Sequence, residues 1–305
     1  MMAAHKMPDL LDVLPPLRGR MMAQAPLGPS TWFRVGGTAE LLVRPADAAD
    51  LCALLVALPD DIKLFVMGAA SNLIVRDGGI AGIVLRLGRG FSDIAADETG
   101  VTVGAAALDA TVAEVAASAG LGGLEFLSGI PGTIGGAVAM NAGAYGGDVA
   151  GVLEWAEIAT RTGTIRRLTK ADLAFEYRHA AIPEGAVVTR ARLRSAPDDV
   201  NAIAARMLKI RESRGATQPV RARTGGSTFR NPPGARAWAL IDAAGARGLR
   251  RGGAQVSELH CNFMLNTGDA TAADIEGLGE QVREKVRDHS GVDLHWEICR
   301  IGLPA

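Results

Sequence analysis

The sequence predicts a layered α/β or α+β protein, and three observations carry that prediction. Short apolar strands alternate with amphipathic helices from Ala39 onwards. Tight glycine turns separate them: 38 of the 305 residues are glycine, about 12% against a usual share of roughly 7%. A hydrophobic content of 48% supplies core for the two or three domains that this length suggests.

In chain order, the first twenty-odd residues are expected to form a short helix and then a loose, proline-marked lead-in. AELLVRP (39–45) reads as a strand, 46–58 as a helix, and KLFVMG (63–68) and GIAGIVLRL (79–87) as strands. A second unit opens with VTVGAAA (101–107) as strand and LDATVAEVAASAG (108–120) as an amphipathic helix ended by Gly120. VLEWAEIAT (152–160) and GTIRRLT (163–169) form a hairpin, and AVVTRARLRS (186–195) a further strand. APDD (196–199) marks a boundary before the basic amphipathic helix VNAIAARMLKIRESR (200–214). Thr271 and Asp274 have capping-box spacing, and Ile275, Leu278, Val282 and Val286 line one face of the helix that follows. LHWEICRIG (294–302) is expected as the final strand, carrying Glu297. The division expected is 1–87, 88–197 and 198–305.

Composition excludes several classes of function. A net charge of −1 gives no basis for a nucleic-acid or membrane-surface partner, and aromatics at 4% argue against stacking platforms for single strands. Cys52, Cys261 and Cys299 are far apart and form no CxxC pair, which fits a reducing compartment and neither a disulfide framework nor a zinc site. The opening residues contain no apolar h-region, and the longest apolar run, LCALLVAL (51–58), is too short to cross a bilayer. A soluble, cytoplasmic protein is expected. No histidine has metal-ligand spacing; His260 is expected to orient its own turn.

The stretch GIPGTIGGAVAMNAGAYGG (129–147) is too apolar for a linker and too rich in glycine for an ordinary helix or strand. It lacks the GK[ST] of a Walker loop and the spacing of GxGxxG. Glycine at this density lets backbone N–H groups approach a ligand, and successive inward N–H groups favour anionic oxygens such as a diphosphate. A packed glycine crossing without a ligand would explain the tract equally well. A second stretch, VMGAASNLIVRDGG (66–79), tips the balance: Gly68 follows a strand, and Ser71 and Asn72 offer side-chain donors. Two such turns could clamp one diphosphate.

Seven motifs in order then resemble the UDP-N-acetylenolpyruvoylglucosamine reductase family over nearly the whole chain. They are TWFRVGGTAE (31–40), GAASNLIVRDGGIAG (68–82), GIPGTIGGAVAMNAGAYGG (129–147), YRHA (177–180), GGSTFRNP (225–232), GGAQVSELHCNFMLN (252–266) and WEICRIG (296–302). The resemblance implies an α+β fold with a two-part FAD-binding region of the vanillyl-alcohol-oxidase/PCMH type, followed by a smaller α/β substrate-binding domain. The short interval between Tyr177 and Ser227 implies the shorter subclass, which lacks the tyrosine-bearing loop insertion. The chain departs from the family pattern at 68–70, where GGG or GxG is common and Gly-Ala-Ala stands here.

By the same resemblance, non-covalent FAD would be cradled by Gly68, Ala69, Ala70, Ser71 and Asn72 together with Gly129, Ile130, Pro131, Gly132, Thr133, Gly135, Gly136, Asn141, Ala142 and Gly143. NADPH would deliver hydride through FAD to the terminal vinyl carbon of UDP-N-acetylglucosamine-enolpyruvate, and charge would build on the adjacent carbon and its carboxylate. Arg178 matches the arginine that faces that carboxylate, Ser227 the proton donor, and Glu297 a glutamate that could hydrogen-bond the enediolate if it is buried and neutral. Tyr177, Arg230, Asn231 and Asn262 match substrate-binding positions. A monomer with small-molecule substrates is expected, with no metal. Two readings compete. Oxidases of the same superfamily often attach flavin covalently through His or Cys near the glycine tract, and 125–150 contains neither. A non-catalytic nucleotide-sugar-binding regulator would have no need of Arg178, Ser227 and Glu297 together.

Overall fold

Apolar periodicity accounts for the longer helices and strands in the structure, a computed structural model that describes residues 10–11 and 14–305. The short helix expected in the first twenty residues therefore lies largely outside the described residues. The chain divides into two compact units. One comprises the segment ending at Ala23, Leu41–Ala69 and Gly82–Ser213; the other comprises Gln24–Glu40, Ala70–Ala81 and Arg214–Ala305.

The first unit contains two hydrophobic cores. In one, helix α1 (Ala48–Ala57) buries Leu51, Leu54 and Leu55 with Leu41, Val43, Ile83 and Leu85 from neighbouring strands. Asp47 caps this helix by accepting the Asp50 N–H at 3.0 Å. The other core forms on a five-stranded antiparallel sheet, ordered Ile165–Thr169, Leu153–Ala159, Val187–Arg194, Gly100–Gly104, Ile94–Asp97. Helices α2 (Asp109–Ser118) and α3 (Ile134–Ala139) pack against this sheet. Their Val112, Ile134 and Val138 join Val101, Val103, Ala156 and Leu193 in the interior. Gly120, at φ +68°, turns the chain out of α2 as expected. Helix α4 (Val200–Thr217) adds Ile203 and Met207 to the same core.

In the second unit a four-stranded antiparallel sheet runs in the order Arg223–Thr224, Met264–Asn266, Ala254–Val256, Arg250–Arg251. Helices α5 (Ala237–Ala243) and α6 (Ala272–Ser290) pack with it around Phe33, Phe229, Ile241 and Ile298. Ile275, Leu278, Val282 and Val286 of α6 are all buried, which is the face that the sequence predicts. The capping box is complete: the Thr271 hydroxyl accepts the Asp274 N–H at 3.0 Å, and Asp274 accepts the Thr271 N–H at 3.0 Å.

Helix α5 and the four-stranded sheet of the second unit are not among the elements expected from the sequence, and three others differ from expectation. Arg20–Pro26 is a strand where a loose lead-in was expected; only Ala25 is buried along it, so it carries no alternating pattern. The final strand is only Cys299–Ile301, parallel to Leu73–Val75. Glu297 lies before it, because the Glu297 N–H is already bonded to the Thr228 carbonyl at 2.8 Å. The glycine tract also contains a helix, α3, whose Gly135 lets the chain close on Ala105: a Cβ there would meet the Ala105 Cβ at 3.0 Å.

Removing the α6 cap should be measurable. Thr271→Ala is expected to lower stability by about 1 kcal/mol in urea unfolding. An unchanged midpoint would show that the buried face alone holds the helix.

Candidate active site

In the first unit, the two glycine stretches meet at Thr133. A Cβ on Gly68 would come within 2.5 Å of the Thr133 hydroxyl, and one on Gly136 would meet only that same oxygen, at 3.8 Å. The Ile134 and Gly135 amides are used on the carbonyls of Ala107 and Ala105, at 3.0 and 2.8 Å. Among the described residues no backbone carbonyl accepts from the amides of Thr133 or Gly136. Bare backbone and unspent donors therefore share one place, which suits an anionic ligand.

Several other tract glycines lie against the protein's own atoms. Gly129 makes room for the Tyr145 ring, 2.6 Å from where its Cβ would be, and Gly143 lies against Asp148 in a tight hairpin. Gly132 is closed off by a carboxyl oxygen of Asp109 at 2.6 Å, so a side chain there would strike Asp109 first. Sequence reasoning missed Asp109; the only signal was an acidic residue opening an apolar helix.

The YRHA motif forms a tight turn between Glu176 and His179, whose amides and carbonyls exchange bonds of 3.0 and 3.3 Å. Arg178 sits at its tip with φ +59°, a left-handed backbone unusual for a bulky residue and common where function fixes the geometry. The exposed Tyr177 ring lies 5.4 Å from its guanidinium carbon. Asn141, at the end of the glycine tract, donates to the Glu176 carbonyl at 3.2 Å and accepts from Ala150 at 2.9 Å. Its side chain thus joins the tract to the arginine turn.

In the second unit, the segments carrying Ser71, Asn72, Ser227 and Glu297 are tied together by hydrogen bonds to main-chain carbonyls, one of them from the Asn72 side chain. Gly226 N–H donates to the Ser71 carbonyl at 3.1 Å, and the Asn72 amide to the Glu297 carbonyl at 3.2 Å. Cys299 N–H returns to the Asn72 carbonyl at 3.1 Å. Gly225 fits because a Cβ would come within 2.6 Å of the Phe33 ring. Ala70, which leads into this segment, has φ +54°. This is the position where glycine is customary, and alanine holds the left-handed turn at about 1 kcal/mol of strain.

The remaining residues separate into two groups. Arg230 is exposed, and its N–H donates to the His295 carbonyl at 2.8 Å. Asn231 accepts the Ala237 N–H at 2.9 Å and so caps α5 beside a cavity of about 670 Å³. Asn262, expected to face substrate, is buried instead. It accepts the Phe229 N–H at 3.0 Å and donates to the Phe229 carbonyl at 2.8 Å, which pins the segment that follows Ser227. His260 orients its turn as expected, its Nδ1 accepting the Asn262 N–H at 3.3 Å. Among the described residues no group of His, Cys, Asp and Glu could hold a metal, and no helix is long and apolar enough to cross a membrane.

Comparison with known proteins gives this arrangement a family. Residues 39–169 match the FAD binding domain, and residues 218–301 match the UDP-N-acetylenolpyruvoylglucosamine reductase C-terminal domain. The chain is 64% identical to the UDP-N-acetylenolpyruvoylglucosamine reductase of Acidiphilium cryptum, over 100% of this chain and 98% of that one. It is 63% identical to that of Granulibacter bethesdensis, over 96% and 94%. The crystal structure of the Thermus caldophilus reductase superposes with a TM-score of 0.81 at 35% identity, covering 93% of this chain and 99% of the other. The chain belongs to the UDP-N-acetylenolpyruvoylglucosamine reductase family, oxidoreductases that join an FAD-binding domain to a C-terminal domain of their own.

Proposed function

We propose that this chain reduces the enolpyruvyl group of UDP-N-acetylglucosamine-enolpyruvate to give UDP-N-acetylmuramate, using NADPH, in cytoplasmic synthesis of the peptidoglycan precursor. The observation that carries the reading is the frame around Ser227 and Glu297, closed by the 2.8 Å bond from Glu297 N–H to the Thr228 carbonyl. It ties down the backbone that carries the Ser227 hydroxyl and the Glu297 carboxyl, which supports a proton-delivering site there. FAD, held non-covalently around Gly68, Thr133 and Gly136, would relay hydride between NADPH and substrate.

Within this reading the side chains divide the remaining work. Hydride added at the terminal vinyl carbon pushes the double-bond electrons towards the carboxylate. The Arg178 guanidinium, always charged and able to bind both oxygens, stabilises that growing charge. Ser227 donates its hydroxyl proton to the adjacent carbon and is reprotonated from solvent. Glu297, as a neutral acid, hydrogen-bonds the enediolate. Tyr177, Arg230 and Asn231 contact the nucleotide sugar, while Asn262 acts through Phe229. A functional division at 87/88 and 197/198 is part of the proposal, and the first unit's two cores, one built mainly from residues 10–91 and the other from 101–207, support the first boundary.

Two variants test the parts separately. Gly136→Val meets almost nothing of the chain itself, so it is expected to fold normally yet bind FAD at least about 10-fold more weakly, since two methyl groups would enter the ligand's space. Normal flavin content in that variant would move the cradle elsewhere. Ser227→Ala should leave NADPH oxidation nearly intact while slowing enolpyruvyl reduction by about 10² to 10⁴-fold, the usual contribution of a positioned general acid. Stopped-flow absorbance resolves the two half-reactions. Equal slowing of both would make Ser227 a structural residue of its turn.

A further inference from the structure

Helix α2 begins beneath the glycine loop, and its first residue is Asp109. The side chain is fully buried, and both carboxyl oxygens lack a hydrogen-bond partner. Its own N–H donates to the Gly132 carbonyl at 3.2 Å, while Leu108 and Thr133 form a bridge beside it. Gly132 in turn places its bare Cα against the carboxyl, where a Cβ would be 2.6 Å from Oδ2. A buried polar group left unpaired costs about 1–3 kcal/mol. That cost falls directly under the segment whose Thr133 and Gly136 amides carry no carbonyl partner.

The charges around Asp109 are spent elsewhere. Glu125, in the turn Glu125–Gly129 that packs on α2, is paired with Arg206 at 2.6 Å. Asp97, on the strand Ile94–Asp97, is paired with Arg192 at 2.6 Å. The strands Gly100–Gly104 and Leu121–Gly122 and the loop 129–136 carry no charge, and Glu114 of α2 itself points to solvent. Burial alone pushes the Asp109 carboxyl up to about 8.

We propose that Asp109 is a positioning residue for the anion-binding loop: as a neutral acid beneath Gly132 it permits a dinucleotide diphosphate to sit on the loop, and as a carboxylate it expels that diphosphate. The inference rests on the FAD reading above. Its sign follows from linkage. The folded-state value lies above the ordinary 3.8, so the neutral acid prevails below about pH 8 and the carboxylate above it. The diphosphate is anionic throughout this range, so binding weakens as the pH rises. If the ionised form does not bind, the FAD dissociation constant rises by about 30-fold between neutral pH and about pH 9.5.

The test is a fluorescence titration of apoprotein with FAD from about pH 7 to about pH 9.5, for the native chain and for Asp109→Asn. The native chain should weaken by the stated factor, and the asparagine variant, neutral and of the same shape, should hold a flat profile. Asp109→Ser, neutral and smaller, gives the same flat profile if asparagine does not fold. A flat native profile, or an equal decline in the neutral variants, overturns the proposal. Failure of the native chain to bind FAD at any pH refutes the FAD reading itself, a distinct result.

Discussion

The candidate ligand cradle of the first unit depends on how closely two backbones approach at Thr133. Gly68 and Gly136 both face that hydroxyl, and a Cβ on Gly68 would be only 2.5 Å away. A side chain at Gly68 would separate the two stretches, whereas one at Gly136 would meet only the Thr133 hydroxyl at 3.8 Å and extend into the space before the unspent amides. The glycine content is thus a steric requirement with a location. Gly129, Gly135 and Gly143 each lie against the protein's own atoms.

The second unit meets a different requirement, that of holding the Ser227 and Glu297 segments in place. The backbone at Ser227 and Glu297 is held by the main-chain bonds from Gly226 to Ser71 and from Glu297 to Thr228, and by the Asn72 side-chain amide donating to the Glu297 carbonyl. Buried Asn262 braces Phe229 from behind, and the Phe229 ring packs 5.1 Å from Trp296. The Trp296 indole lies over Gly279 of α6, where a Cβ would collide with it, and donates to Glu280 at 2.8 Å. The long amphipathic helix therefore supports the residue next to Glu297, which links core packing to the geometry of the site.

The longer helices and strands were legible in the sequence because a buried face imposes a period, while the two- and three-residue strands of the second unit's sheet are too short to show one. The α6 face, its capping box, the hairpin ending at Thr169 and the helix ended by Gly120 all followed from spacing. The exposed strand Arg20–Pro26 did not, since it buries one residue and leaves no alternation. Site positions were legible through motifs, but the partners of their polar groups were not. Asn262 reads as an exposed amide in HCNF and is consumed by Phe229, a neighbour 33 positions away. Asp109 reads as an ordinary helix-opening carboxylate, and only the fold shows it enclosed. Long-range hydrogen bonds and enclosure arise from tertiary contact, which a local pattern does not encode.

The central claim is that the glycine cradle holds a flavin which serves a site built around Ser227 and Glu297. The visible spectrum of the purified protein under anaerobic conditions tests it most directly. The account predicts a yellow protein that is bleached by NADPH and regains its colour when UDP-N-acetylglucosamine-enolpyruvate is added. A colourless protein after reconstitution with FAD, or a flavin that stays bleached in the presence of that substrate, would contradict it.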